Sequence, residues 1–249
     1  MIVILAHGFW LTGSSWGPVL TALRAAGHDV HPVERPDATP GTPFADLTIA
    51  DAVADVVTVL DATQGPVVLV GHSGGGNIVA GAADARPGRV ARLVYVDTLP
   101  PATGARVNPE LPVVDGVVPV PDWSFFRDDG WDRDLRDLTD ADLEALRSGA
   151  RREPVGVAHG ALALHDDSAR RSLPTTIVAS TFTRDELDGW LTDGMPWLVE
   201  TGLLTDLDVV ELPTGHWPQI SRPDELAALL VTIVEDTSHP EGGLIETRP

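Results

Sequence analysis

The stretch VVLVGHSGGGN, Val67 to Asn77, passes from four aliphatic residues straight into a cluster of glycines. A short unbroken Val/Leu run reads as a strand covered on both faces. The residues after it read as a helix over about Gly76–Asp84. Two chemistries are built on such a turn. A phosphate cradle requires G-x-G-x-x-G, with an acid about 20 residues further on. Gly71, Ser73 and Gly76 fall at its three glycine places, and Asp97 ends the next strand. Ser73 then stands where the backbone must approach a pyrophosphate, and the unit lies mid-chain rather than opening a domain. The other chemistry is a strained turn that exposes a nucleophile. Gly71-His72-Ser73-Gly74-Gly75 is G-x-S-x-G and fits that turn at every position.

Further short apolar runs rich in Val, Ile and Leu read as parallel strands: Ile2–Ala6, Asp29–Val33, Val67–Val70, Arg92–Val96, Thr175–Ala179 and Asp208–Leu212. Helical patterns at Ser15–Ala26, Thr48–Thr63, Gly76–Asp84 and Pro223–Glu235 lie between and after them. This alternation predicts an α/β fold, a mostly parallel sheet of about six strands flanked by helices. Residues 1–99 and 174–235 form its core. Residues 100–173 break the rhythm with many prolines, an acidic-basic helical run over Asp132–Ser148, and the aromatics Trp123, Phe125, Phe126 and Trp131. They read as a cap over the C-terminal edge of the sheet, the alternative being a surface excursion that seals only its own small core. Residues 236–249 lack periodicity and read as a flexible tail.

Serine is a poor nucleophile unaided, so a base must come from elsewhere. His216 in LPTGHWPQ follows the last strand and precedes the last helix, on the same sheet edge as Ser73, and Gly215 gives its loop freedom to aim the ring. The first strand ends in Ala6-His7-Gly8-Phe9-Trp10. The N–H of Phe9 can there join that of Gly74 as an oxyanion hole, with His7 bracing the loop.

HGFW after the first strand, GHSGG at the turn and TGHWP before the final helix, in this order, resemble the α/β-hydrolase fold. The resemblance spans Met1 to about Glu235. It is strongest to an esterase-like branch that includes plant methyl-ester hydrolases and hydroxynitrile lyases. It implies a serine hydrolase with a cap and no cofactor; in a departure from the family pattern, the two edge strands common there are expected to be missing. The family places its triad acid near Thr183, which is no carboxylate. Asp185 is the nearest substitute. Asp97, at the tip of Arg92–Val96, is the other candidate, because some relatives, certain haloalkane dehalogenases among them, draw their acid from that strand. Asp97 is taken first.

A formal net charge of −20 over 249 residues disfavours nucleic acid and anionic membranes as partners. All 17 basic residues are arginine, so a Walker lysine, a Schiff-base lysine and the lysine used by hydroxynitrile lyases are absent. There is no cysteine to supply a disulfide, a thiol nucleophile or a thiolate metal site, and no H-E-x-x-H, so no metal is expected. No apolar run is long enough to span a bilayer, and the chain reads as cytoplasmic. The expected reaction is hydrolysis of a small, largely apolar ester or lactone through an acyl-enzyme. Ser73 attacks, His216 shuttles the proton, and Trp10 with the cap aromatics Trp123, Phe125, Phe126 and Trp131 binds substrate. Non-hydrolytic lyase chemistry and a receptor-like binding role are the alternatives. The oligomeric state stays open.

Overall fold

The computed structural model describes residues 1–34, 42–122, 133–165 and 167–238. In chain order the strands are β1 (Ile2–Ala6), β2 (Asp29–Val33), β3 (Val67–His72), β4 (Val90–Val96), β5 (Val117–Val118), β6 (Glu153–Pro154), β7 (Thr175–Ala179) and β8 (Leu207–Glu211). The helices are α1 (Gly17–Ala25), α2 (Ile49–Ala62), α3 (Gly75–Ala85), α4 (Asp140–Gly149), α5 (Val155–Ala158), α6 (Asp167–Arg171), α7 (Arg184–Thr192), α8 (Val199–Gly202), α9 (Pro218–Ser221) and α10 (Pro223–Ser238).

Six strands form one sheet in the order β2-β1-β3-β4-β7-β8, and every neighbouring pair is parallel. The period-2 alternation of strand side chains divides the aliphatic residues between its faces. Val3, Leu5, Val68, Val70, Val94 and Val96 face one way, onto α1 and α10 through Trp16, Leu23, Leu226 and Leu230. Ile4, Val67, Leu69, Leu93 and Tyr95 face the other way, onto α2 and α3 through Val56, Leu60, Ile78 and Val79. Both faces are covered, which is why these strands read as unbroken apolar runs.

The chain starts in the middle of the sheet, steps outward from β1 to β2, then crosses back to β3 on the other side of β1. The loops after β1 and β3 therefore leave adjacent strand ends in opposite directions and open a crevice, the usual ligand position in such sheets. Ala6 of β1 is in register with Gly71 of β3, so the loop carrying Phe9 and the turn carrying Ser73 emerge side by side. With all strands parallel, Asp97 after β4 and His216 after β8 reach the same edge.

Residues 97–174 connect β4 to β7. They contain α4, α5, α6 and a two-residue antiparallel ribbon of β5 with β6, which the aliphatic pattern did not announce. Of the helical run expected over Asp132–Ser148, Asp132 lies outside the described residues and the helix begins at Asp140, because Thr139 caps it: its side chain accepts from the Asp142 N–H while Asp142 bonds back to the Thr139 N–H. At the other end of the chain α10 continues to Ser238, three residues into the segment expected to be a loose tail. Among the described residues no helix is long and apolar enough to cross a membrane.

Candidate active site

Ser73 follows the last residue of β3 with φ at +50°, a left-handed conformation that a non-glycine residue adopts only under constraint. The turn is held by the Ser73 N–H to the Val96 carbonyl at 3.2 Å and the Gly76 N–H to the Ser73 carbonyl at 2.8 Å. There is no room for side chains beside it. A Cβ on Gly71 would lie 2.6 Å from the Gly75 carbonyl oxygen, and one on Gly75 would collide with the carbonyl oxygen of Ala6.

His216 Nε2 lies 2.9 Å from Ser73 Oγ, and its Nδ1 lies 2.6 Å from Asp97 Oδ2. A carboxylate only accepts, so Nδ1 carries the ring proton and Nε2 accepts from the serine hydroxyl. Asp97 is buried, with φ at +47°. Its Oδ1 accepts the N–H groups of Ser180 at 3.0 Å and Thr181 at 2.8 Å, and the Thr181 hydroxyl bonds to both oxygens. Burial pushes the Asp97 carboxyl up, but the hydrogen bond and charge of His216 and these N–H donors outweigh it and hold the group below its ordinary range. Burial likewise pulls His216 down. The Asp97 bond and charge, with Asp134 adding, leave it above the usual histidine range.

Asp185, the other acid weighed from sequence, is exposed in the first turn of α7. It does not cap that helix. Thr183 does, accepting from the Glu186 N–H while Glu186 bonds back to the Thr183 N–H.

The His216 loop is fixed from both sides. His72 Nε2 donates to the His216 carbonyl at 2.6 Å, and His72 Nδ1 accepts from Gln219 Nε2 at 3.2 Å. Complete burial depresses the His72 pKa to about 3, so this ring is neutral. On the opposite side the His216 N–H donates to the Asp134 carbonyl at 2.8 Å. Gly215 is needed for space rather than for the loop freedom expected of it. A Cβ there would strike the backbone oxygens of Asp134 and Arg136.

After β1, the His7 ring bonds to the Gly8 carbonyl at 2.8 Å. Trp10 has φ at +61°, and its N–H donates to the buried Glu153 carboxylate at 2.9 Å. Its indole N–H reaches the Pro119 carbonyl at 3.1 Å. Phe9 and Trp10 wall a cavity of about 410 Å³ above Ser73, together with Val107, Leu111, Pro112 and Trp217. Its polar lining includes His72, Asn108, Glu110, Asp134 and His216. A second, more open cavity of about 640 Å³ lies beyond His216 and Asp134, which line both. Trp123, Phe125, Phe126 and Trp131, expected to bind substrate, lie outside the described residues. Among the described residues no group of three or more His, Asp or Glu is placed to hold a metal ion.

Sequence reasoning missed Asp134, Val107, Glu110, Leu111, Gln219 and the brace from His72. His72 had a signal, being next to Ser73. The others come from the β4–β7 connection or from α9, whose approach to the sheet edge leaves no local pattern.

A family model described as the alpha/beta hydrolase family matches residues 3–229. A carbendazim hydrolyzing esterase of Nocardioides sp. is 31% identical over 112 residues, covering 44% of this chain. The match spans 46% of that relative's length, under half of it. Lipase LipV of Mycobacterium tuberculosis is 27% identical over 197 residues, 74% of each chain. Among solved structures, an extracellular alpha/beta-hydrolase from a Paenibacillus species superimposes with a TM-score of 0.69 at 19% identity, over 93% of this chain and 98% of the other. That likeness is one of fold.

Proposed function

The chain belongs to the alpha/beta hydrolase family, and on that premise we propose that it is a serine hydrolase cleaving a carboxylic ester or lactone of a small, largely apolar substrate through an acyl-enzyme. One observation carries the reading: the unbroken relay from Ser73 Oγ through the His216 ring to the buried Asp97 carboxylate. The names of the esterase and lipase relatives agree with it.

In the proposed reaction His216 Nε2 takes the hydroxyl proton as Ser73 Oγ attacks the carbonyl carbon. Charge moves onto the carbonyl oxygen, toward the N–H groups of Phe9 and Gly74, whose loops leave the in-register ends of β1 and β3. Asp97 fixes the tautomer and stabilises the imidazolium. Collapse expels the alcohol with the proton from His216. Water then enters by the same route and releases the acid. Residues 100–173 act as the cap, since Val107, Leu111 and Pro112 stand over Ser73. The alcohol and acyl groups pack on these residues, Phe9 and Trp10.

The test is turnover of p-nitrophenyl esters of increasing chain length, and of lactones, by the wild type and Ser73→Ala. The proposal expects a preference for short-to-medium neutral acyl chains and a loss of about 10⁴-fold or more in kcat for the variant. Retained turnover in Ser73→Ala would overturn it.

A further inference from the structure

The cavity above Ser73 is lined by two acidic residues, the half-buried Asp134 and the exposed Glu110, and among the described residues lining it there is no arginine. Its two histidines do not offset them. His72 is held neutral by burial, and His216 must be neutral to accept the Ser73 proton. Two arginines, one beside Asp134 in sequence and one lining the second cavity, have bonding partners other than Asp134. Arg133, the residue before Asp134, pairs with Glu186 at 2.8 Å, and Arg106 of the second cavity donates to the His159 carbonyl at 2.6 Å. Asp134 is half-buried, lines both cavities, and has no salt-bridge partner among the described residues. Its backbone is locked to the site through the His216 N–H bond, so the carboxylate cannot drift away with a loose loop.

From this arrangement we infer that Asp134 is a charge-selecting residue of the active site, which excludes esters bearing a carboxylate near the scissile bond and favours neutral and cationic ones. The inference rests on the serine hydrolase reading above and narrows its substrate class. The physics is like-charge repulsion in a partly dry site, where one unit charge several ångströms away changes binding by about tenfold or more. A substrate ammonium or amide N–H meets the same carboxylate as a partner.

Asp134 also acts on His216. The groups facing that ring are Asp97, Asp134, His72 and Ser73. The two carboxylates favour the imidazolium, so neutralising Asp134 moves the acid limb of kcat/KM to lower pH.

The experiment compares three esters of equal length whose acyl chains end in a methyl, a carboxylate or a trimethylammonium group. It uses the wild type, Asp134→Asn, Asp134→Glu and Asp208→Asn. Asp208 is exposed at the opposite end of β8, so its variant changes the net charge equally without touching the cavity. In the wild type, kcat/KM for the trimethylammonium ester should exceed that for the carboxylate ester. Asp134→Asn should raise the carboxylate-to-methyl ratio about tenfold and shift the acid limb downward. Asp134→Glu and Asp208→Asn should keep the wild-type ratio. A wild type that shows no preference against the carboxylate ester, or a folded Asp134→Asn with an unchanged ratio, overturns the inference even if turnover remains Ser73-dependent. Turnover that survives Ser73→Ala overturns the hydrolase reading itself, and the inference with it.

Discussion

Replacing Asp97 by asparagine changes one atom, and the surroundings decide which way the amide must face. The backbone N–H groups of Ser180 and Thr181 both point at Oδ1. The amide oxygen therefore takes the Oδ1 place, and the NH₂ group faces His216 Nδ1, where Oδ2 accepts at 2.6 Å today. Facing a donor, Nδ1 must give up its proton. The ring then carries hydrogen on Nε2 and donates to Ser73 Oγ instead of accepting from it. Restoring the working tautomer would set two N–H donors against each other and forfeit a charge-assisted bond. Losing that bond costs about 1.5–3 kcal/mol, and each buried donor left unpaired about 1–3. The sum is roughly 5 kcal/mol, or about 10⁴ in kcat at 1.36 kcal/mol per decade. KM should move by less than about threefold, because the pocket walls are untouched. The assay is steady-state turnover of a short p-nitrophenyl ester, with a thermal melt to establish that the variant is folded. Asp185→Asn, exposed on α7, should stay within about twofold of wild type. A folded Asp97→Asn that loses less than about a hundredfold would remove Asp97 from the triad, and a larger loss in Asp185→Asn would reverse the assignment.

Other outcomes follow from the same geometry. The His216 pKa lies above 6.5, net of burial, through Asp97 and Asp134, and only the neutral ring can take the Ser73 proton. Kcat/KM should therefore fall tenfold per unit of pH below a midpoint above 6.5, and a midpoint well below 6.5 would contradict this. Gly75→Ala places a methyl group against the Ala6 carbonyl oxygen, which is backbone and cannot swing away. Denaturant melts should show a loss of about 1–3 kcal/mol or more together with lost turnover, whereas a variant as stable as wild type would show that the turn is less crowded than described. Leu111→Ala enlarges the cavity above Ser73 and should shift the preferred acyl chain toward greater length with kcat largely kept. An unchanged chain-length profile would remove Leu111 from the substrate-binding wall.

The sheet was legible because strands buried on both faces must be aliphatic along their whole length. All six expected strands are present, and their ends differ by at most two residues. Thr183-x-x-Glu186 was also legible as a capping box at the start of α7. The juxtaposition of Ser73 and His216 follows from parallel strands, which deliver their C-terminal loops to one edge. The choice between Asp97 and Asp185 could not be made from chain position. It depends on the Ser180 and Thr181 N–H groups converging on one carboxylate, a tertiary fact. Asp134 was illegible for a related reason. Nothing near it in sequence marks it, and its place beside His216 depends on a backbone contact across 82 positions, from 134 to 216. Gly215 was noticed for the wrong property, since its missing Cβ makes room for the backbone of that same segment.

Ser73 Oγ, activated by His216, is the proposed nucleophile. Covalent capture tests it most directly. The intact protein is treated with a fluorophosphonate, and the adduct is located by peptide mass mapping. One adduct per chain is expected, on Ser73, absent from Ser73→Ala and formed far more slowly in His216→Ala. An adduct on a different residue, or continued ester turnover by a protein that takes up no label at Ser73, would contradict it.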